Sequence, residues 1–309
     1  MPEALEKVSG IIRDSSISRN PIISGGLNSL LQGNGKLLRP GLLILSAQFG
    51  KLQEKHYKLG AALEMLHMAT LIHDDVIDDS PLRRGKPALH TCYGKRDAVL
   101  IGDFLFSRCF ILAAEYTSPE NAVNLARLIS VICDMEIEQN NDRYRSNLSF
   151  RSYIRKIMGK SAMLFSLACH TGAWEAKAPR NVCEQLRRIG YNIGIAFQII
   201  DDILDYSGNE ELVRKPLGND INAGIVTLPL LCALPNNTAL KEIFSKETFH
   251  PGDGAFIFKL VRESGGIEAA NGYAQTYTGR AMREIEKLPA GKNRDMLAAL
   301  TEQLLTREN

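Results

Sequence analysis

The stretch His73-Asp74-Asp75-Val76-Ile77-Asp78-Asp79 closes a segment, Leu59 to Ile77, in which apolar residues recur at spacings of three and four. That spacing predicts an amphipathic α-helix with an acidic end. A second acidic stretch, Asp201-Asp202-Ile203-Leu204-Asp205, closes a similar segment from Val182 to Leu204. In both stretches the first and last aspartates of the pattern D-D-x-x-D lie four residues apart and share one helix face.

The two acidic stretches predict a bound cation. Carboxylates at this spacing repel one another, and burying them without a counterion costs several kcal/mol each or makes them take up protons. Oxygen-only ligands favour Mg²⁺, which takes one or two carboxylates, keeps some water and fills its other positions with substrate phosphates. The sequence therefore predicts a diphosphate held by Mg²⁺ between two acidic helix faces.

Helical periodicity dominates the rest of the chain, and no segment alternates between apolar and polar residues over a sustained length. The helical pattern recurs in Leu42 to Phe49, Ala98 to Ala114, Ala122 to Ile137, Tyr153 to Ala173 and Ile267 to Ile285. No linker rich in Gly, Ser or Pro divides the sequence. We therefore expect an all-α fold, a bundle of long helices in a single domain that spans residues 1–309.

The composition restricts the class of protein. The chain has 309 residues, of which 45% are hydrophobic and 23% charged, as expected for a globular protein with a sizeable core. A formal net charge of +2 gives no indication of a nucleic-acid partner. The six cysteines stand singly, without a C-x-x-C pair, which favours reduced thiols and a cytoplasmic location. The sequence shows no signal-peptide pattern and no uncharged stretch long enough to span a bilayer, so we expect no stable membrane insertion.

Basic residues lie near the first acidic stretch. Arg83 and Arg84 follow it, and their guanidinium groups suit bidentate binding of phosphate, although a solvated loop that neutralises the helix end is an alternative. Lys36 and Arg39 stand where a helix begins and an anion is favoured; the alternative is a flexible glycine turn with two solvent-facing cations. His67 precedes the acidic stretch on nearly the same helix face and is either functional or a core histidine.

These sequences form an ordered set that is typical of one family. The set comprises Gly35-Lys36-Leu37-Leu38-Arg39-Pro40, the first acidic stretch with its arginine pair, Gly102-Asp103, Gly159-Lys160-Ser161, Phe197-Gln198 with the second acidic stretch, Lys215-x-x-Gly218-x-Asp220, and Thr227-Leu228-Pro229. From about Gly33 to Leu231 the chain resembles the trans-isoprenyl (polyprenyl) diphosphate synthases. The resemblance implies an isoprenoid synthase bundle around a central cavity. It also implies Mg²⁺-dependent condensation of isopentenyl diphosphate with an allylic diphosphate such as farnesyl diphosphate.

The resemblance assigns roles to individual residues. Three Mg²⁺ ions would be held by Asp74, Asp78, Asp201 and Asp205. Isopentenyl diphosphate would be bound by Lys36, Arg39, His67 and Arg84. The allylic diphosphate would be bound by Arg83, Lys160 and Lys215, with the oxygens of Ser161 and Gln198 facing the developing carbocation. The residues implied in catalysis itself are Asp74, Asp78, Lys160, Ser161, Gln198 and Asp201.

The residues before the first acidic stretch bear on product length. At about 100° per residue, Thr70, Leu66, Ala69 and Ala62 drift to one side of the helix and can border a channel below the diphosphate. In the family, bulky aromatics four and five residues before the first aspartate stop growth early, and this chain has Thr70 and Ala69 there. The resemblance therefore implies a hexaprenyl to decaprenyl product, with Leu66 or a facing helix as the final stop. The alternative is that Ala69 only permits close helix packing.

Two departures from the family pattern are visible. Gly224-Ile225-Val226-Thr227 stands where many members have G-K-x-T, so one phosphate-binding lysine is missing, and Asp134-Met135-Glu136 replaces a common E-G-E. In the first departure, the chain resembles the catalytic subunits of two-component hexaprenyl and heptaprenyl synthases. We therefore expect a homodimer that functions alone or with a small regulatory subunit.

Two other functions remain open at this stage. Class I terpene cyclases share D-D-x-x-D and the helical bundle, but their second metal motif usually mixes Asn, Ser and Glu. A non-enzymatic prenyl-lipid binder or an inactive regulatory subunit would be favoured by loss of aspartates. Both acidic stretches here are complete.

Overall fold

The computed structural model describes residues 1–31, 37–83, 85–145, 148–207, 218–246 and 248–305. The all-α prediction is confirmed. The α-helices of these ranges are α1 (Pro2–Ser15), α2 (Pro21–Leu31), α3 (Leu38–Ala47), α4 (Glu54–Ile77), α5 (Leu89–Tyr93), α6 (Lys95–Tyr116), α7 (Pro119–Asn141), α8 (Phe150–Ile157), α9 (Met163–Glu175), α10 (Arg180–Ser207), α11 (Asn219–Asn222), α12 (Leu228–Ala233), α13 (Thr238–Ile243), α14 (Gly254–Glu263), α15 (Gly266–Glu286) and α16 (Lys292–Leu305).

Shorter elements complete the description. A π-helix, Met158–Ala162, lies between α8 and α9, and 3₁₀ turns occupy Leu234–Asn236 and Pro251–Asp253. Two short strands, β1 (Leu82–Arg83) and β2 (Lys86–Pro87), pair antiparallel just after α4. Among the described helices, none combines the length and the hydropathy that a membrane-spanning segment requires.

The chain divides into two compact units. The first unit comprises 1–125 with 167–184, and the second comprises 126–166 with 185–309. Each unit is therefore built from separate segments of the sequence. The organisation of the chain as one domain stays a prediction.

The first unit is built around α4. This helix begins with a reciprocal cap in which the Gln53 N–H donates to His56 Nδ1 at 2.9 Å. Its middle is apolar and fully buried, as Met65, Leu66 and Ala69 show, so burial of apolar surface stabilises it. The tight packing in this unit also depends on Gly172, where a Cβ would lie 2.1 Å from the Leu43 carbonyl oxygen.

Residues of the second unit form a core in which α10 carries Ile195, Ile199 and Ile203. The side chains of α8 and α15 pack into the same cluster. Close approach is possible because α10 has glycine where the backbones meet: a Cβ at Gly194 would lie 2.5 Å from Ala162 Cα. Because Ala162 ends the π-helix, this approach fixes the π-helix against α10.

Candidate active site

The first acidic stretch ends α4, and a β-hairpin follows it. Asp74 is half-buried, Asp75 is buried and Asp78, the residue that follows the helix, is exposed. The hairpin brings Arg83 back to the helix, where its Nη1 donates to Asp75 Oδ1 at 3.3 Å. The predicted phosphate ligand Arg83 is thus oriented by the middle aspartate, for which the sequence predicted no role.

Asp79 terminates this helix and belongs to a different set of contacts. Its φ of 51° is left-handed, which ends the helical path. The carboxylate lies 2.9 Å from Lys95 Nζ, and this ammonium group lowers the pKa of Asp79. Asp79 is fully solvated, so this ion pair stabilises the fold little.

The structure describes only some of the residues predicted to bind the diphosphates. Arg39 is buried in the first turn of α3, which follows Leu37 in a left-handed conformation with φ of 46°. His67 is half-buried on α4, seven residues before Asp74. Lys36, Arg84 and Lys215 lie outside the described residues, as does the side chain of Lys160.

The second unit contains a buried chain of hydrogen bonds that ends at the second acidic stretch. Ser161 Oγ donates to Gln198 Oε1 at 2.6 Å, and Gln198 Nε2 donates to Asp202 Oδ1 at 2.9 Å. Tyr153 OH donates to the other oxygen of the same carboxylate, Asp202 Oδ2, at 2.7 Å. The structure thus brings together Ser161 and Gln198, the two residues for which the resemblance implies oxygens that face the carbocation.

Tyr153 was not recognised from the sequence. It is 4% exposed on α8 and is tied to Asp202, the middle aspartate of the second stretch. A buried tyrosine hydroxyl generally needs a hydrogen-bond partner. A tyrosine at a core position of the predicted helix, two turns before Lys160, was therefore a sequence feature from which a buried polar contact could have been predicted. The pattern identified Tyr153 only as the start of a helical segment.

Local backbone geometry presents Ser161. The Met163 N–H bonds to the Met158 carbonyl oxygen, so one wider π turn interrupts the α-helical path. Such turns are rare and occur frequently at functional sites. The turn includes Lys160 and Ser161, two residues with predicted roles in substrate binding.

The aspartates of the second stretch have different surroundings. Asp201 is exposed, whereas Asp202 is 4% exposed. Burial, followed by the negative charge of Asp220, raises the pKa of Asp202 to about 8. Asp205 accepts hydrogen bonds of 3.2 Å from the backbone N–H groups of Asn219 and Asp220, so part of its carboxylate is used in fixing α11.

The residues predicted to determine product length lie in the middle of α4, where most side chains are buried. Leu66 and Ala69 are fully buried, while Thr70 Oγ1 donates to the His67 carbonyl oxygen at 2.8 Å. A largely apolar cavity in this unit lies further from the acidic end and includes Ala62. Its other lining residues are Leu43, Leu59, Leu63, Cys109, Ala113, Thr117, Asn121, Leu125, Leu167 and Thr171. The cavity of about 30 Å³ holds roughly two water molecules, so side chains must move before a hydrocarbon chain can enter.

Comparison with known proteins places the chain in a family. The model of the polyprenyl synthetase family matches residues 20–261, well beyond the motif-bearing segment. The chain belongs to the polyprenyl synthetase family. It is a polyprenyl diphosphate synthase prenyltransferase, as the resemblance implied. The match favours condensation over the terpene cyclase alternative.

Three relatives of this prenyltransferase illustrate the match. Component 2 of the heptaprenyl diphosphate synthase of Geobacillus stearothermophilus is 38% identical over 274 residues, which cover 88% of this chain and 85% of the relative. The crystal structure of heptaprenyl diphosphate synthase from Staphylococcus aureus superposes with a TM-score of 0.96 at 30% identity, covering 100% of this chain and 98% of that one. A polyprenyl synthase from Caulobacter crescentus, complexed with calcium and isoprenyl diphosphate, gives 0.93 at 35% identity, with 100% and 96% covered. The isoprenoid synthase fold is therefore confirmed.

Polyprenyl synthetases use divalent metal ions, and the donor set of this prenyltransferase suits them. Within the described ranges no three His, Cys, Asp or Glu side chains converge on one point. The carboxylate oxygens of the two acidic stretches fit Mg²⁺, which takes few carboxylates and relies on water and phosphate oxygens. Burial and the negative charge of Asp220 raise the pKa of Asp202, the neighbour of the proposed ligand Asp201.

Proposed function

We propose that this prenyltransferase condenses isopentenyl diphosphate with an allylic diphosphate, farnesyl diphosphate or a similar one, and forms a long-chain all-trans polyprenyl diphosphate. The observation that carries the proposal is the character of α4. One end of this helix holds Asp74 and Asp78, and its interior holds the small residues Ala69 and Ala62, the second of which borders an apolar cavity. The names of the heptaprenyl synthase relatives support the long product.

In this proposal the metal ligands are the outer aspartates of both stretches: Asp74, Asp78, Asp201 and Asp205. These carboxylates would hold three Mg²⁺ ions, which would neutralise the allylic diphosphate and make it a better leaving group. Asp75 and Asp202 instead orient protein groups, since Asp75 accepts from Arg83 and Asp202 accepts from Gln198 and Tyr153.

Ser161 is suited to face a carbocation. Its hydroxyl proton is donated to Gln198 Oε1, so the Ser161 oxygen presents only lone pairs to other neighbours. Gln198 cannot turn its amide around, because its Nε2 donates to Asp202. Oriented oxygens of this kind stabilise developing positive charge without reorganising.

The remaining cations divide between the two substrates. Lys36, Arg39, His67 and Arg84 are proposed for isopentenyl diphosphate. Arg83, Lys160 and Lys215 are proposed for the allylic diphosphate. The Arg83 to Asp75 bond supports this division, because it fixes the guanidinium beside the first acidic stretch.

Ile225 stands where many members of the family have lysine. The Ile225 N–H donates to the Asp220 carbonyl oxygen at 2.8 Å, which holds the backbone of this segment in place. The side chain at this position carries no charge. We expect a weakened grip on the allylic diphosphate. A partner subunit or a long allylic starter would then assist the reaction, as in a two-component synthase.

The surface of α6 supports association with a second copy of the chain. Leu100, Phe110 and Ile111 are 52%, 45% and 46% exposed on this helix. Exposed apolar surface on a helix favours a protein interface. A homodimer, with or without a small regulatory subunit, is therefore part of the proposal. The proposed location is the cytoplasm.

The decisive experiment incubates the purified protein with Mg²⁺, farnesyl diphosphate and radiolabelled isopentenyl diphosphate, and separates the dephosphorylated products by chain length. Label in products of the hexaprenyl to decaprenyl range is expected. Diphosphate release without incorporation of label would instead identify a cyclase. Binding of farnesyl diphosphate without any turnover would identify a prenyl-lipid binder.

A further inference from the structure

A basic groove in the second unit lies outside the proposed active site. It is bounded by residues of α10 and of the C-terminal part of α15, and its volume is about 400 Å³. That volume falls in the range of small-molecule sites. The lining residues are Arg187, Arg188, Tyr191, Asn192, Arg280, Arg283, Glu284 and Lys287.

Charge in the groove is strongly one-sided. Five of its residues are cationic and one, Glu284, is acidic. Glu284 already forms an ion pair with Lys287. In the described part of the chain, the guanidinium groups of Arg188, Arg280 and Arg283 form no salt bridge. Within the described ranges, these three guanidinium groups therefore carry positive charge that no salt bridge offsets.

The arrangement of these side chains follows from the helices. Arg280, Arg283 and Lys287 recur at spacings of three and four, which places them on one face of α15. Arg188 lies on α10 across the groove. The Arg280 guanidinium stacks 4.7 Å from the centroid of the Tyr277 ring, which restricts its orientation. Arginines of two helices thus line the same groove.

Distance separates this groove from the second acidic stretch. Arg188 precedes Asp201 by 13 residues on the same helix, a rise of about 20 Å. Asn192, the groove residue nearest to Asp201 along the helix, precedes it by nine residues, a rise of about 13 Å, whereas phosphate contacts are hydrogen bonds of about 3 Å. The groove is therefore a second, separate cationic site.

We propose that this groove binds a phosphate-bearing anion, either a free diphosphate or the phosphate headgroup of a lipid. Arginine forks suit phosphate oxygens because they donate two parallel hydrogen bonds. Clusters of four or more basic residues are also typical of sites for anionic lipid headgroups. This site goes beyond the proposed reaction, and its test does not require the protein to be active.

The test uses the full chain, the double variant R188Q/R283Q and a matched control, R13Q/R19Q. The control removes two exposed arginines of the first unit. One arm titrates inorganic diphosphate by calorimetry in EDTA, so that metal-dependent binding at the aspartates is absent. The second arm measures co-sedimentation with phosphatidylcholine vesicles, with and without phosphatidic acid.

We expect R188Q/R283Q to bind at least one probe at least about 100-fold more weakly than wild type, since two charge-assisted contacts are lost. R13Q/R19Q should match wild type. A loss confined to diphosphate identifies a free anion as the ligand, and a loss confined to acidic vesicles identifies a lipid headgroup. Equal binding of both probes by all three proteins, or no binding by wild type, would overturn the proposal.

Discussion

Tyr153 OH donates a 2.7 Å hydrogen bond to Asp202 Oδ2. This contact joins α8 to the helix that carries the second acidic stretch. The same carboxylate holds Gln198, and Gln198 accepts the proton of Ser161. A tyrosine on one helix therefore controls the orientation of two oxygens that the proposed mechanism places beside the carbocation.

Tyr153→Phe tests this control. Removing the hydroxyl leaves one oxygen of Asp202 without its donor and loosens Gln198, so we expect kcat to fall about 10-fold while the KM values change little. Steady-state kinetics with labelled isopentenyl diphosphate provide the measurement. Tyr57→Phe is the matched control, because the Tyr57 ring contacts Lys7 rather than a carboxylate. If Tyr153→Phe lowers both kcat and the melting temperature, and kcat returns to the wild-type value when the assay is run at low temperature, the role of Tyr153 is purely structural.

Asp74→Ala and Asp201→Ala test the metal assignment. Each variant removes one proposed Mg²⁺ ligand, and we expect turnover to fall by roughly 10²-fold to 10³-fold, as when other electrostatic stabilisers are removed. Asp79→Ala is the control, because Asp79 pairs with Lys95 instead. The proposed ligand set is wrong if either of the first two variants turns over like wild type.

Ala69→Phe tests the channel floor. Ala69 is fully buried on α4, five residues before Asp74, so an aromatic ring there should block the path of the growing chain. Products should shift towards farnesyl and geranylgeranyl diphosphate, as measured by chromatography of the dephosphorylated lipids. Overpacking costs about 1 to 3 kcal/mol, so the melting curve must show a folded protein. An unchanged product ladder from folded, active enzyme would indicate that Ala69 only permits close packing.

Ile225→Lys tests the missing cation. If the absent lysine weakens binding of the allylic diphosphate, the substitution should lower the KM for that substrate about 10-fold, the effect of one charge-assisted contact. The KM for isopentenyl diphosphate should stay the same. Ile225→Met, which is similar in length but uncharged, is the control. Equal KM values for the lysine and methionine variants would contradict this explanation of the departure.

Glu175 gives a prediction about stability. The carboxylate accepts from Lys55 Nζ at 2.8 Å and from the Ser118 N–H and Asn121 Nδ2, each at 2.8 Å. Burial alone would raise its pKa, but these donors, with Lys55 first, lower the pKa of Glu175 to about 2. A depressed carboxyl pKa stabilises the folded state fully above about pH 4.5, and that contribution is lost as the pH falls towards 2.

Glu175→Gln should therefore lower the free energy of unfolding by about 3 kcal/mol at pH 7, since the depression exceeds two pKa units. Urea unfolding curves measured from pH 7 to pH 2.5 provide the test. The difference between wild type and variant should narrow below about pH 4.5. A difference that is constant with pH would show that lost packing, rather than the charge, causes the destabilisation.

Much of this protein follows from local patterns in the sequence. Apolar spacing of three and four residues predicts α4 and α10, because a helical turn has 3.6 residues and side chains at this spacing therefore lie on the same face. The spacing of aspartates within each stretch places the outer pair on one helix face whatever the rest of the chain does. The family assignment rests on such local motifs in order, which is why the sequence was sufficient for it.

Tertiary structure decided which aspartates contact which side chains. The resemblance gives Asp201 a metal role and Asp202 none, and only packing of α8 against α10 buries Asp202 beside Tyr153 and raises its pKa. The wider turn that presents Ser161 depends on contacts with Gly194, which are distant in sequence. The basic groove likewise combines arginines about ninety residues apart. Long-range burial and charge proximity are properties of folded packing, so no local pattern encodes them.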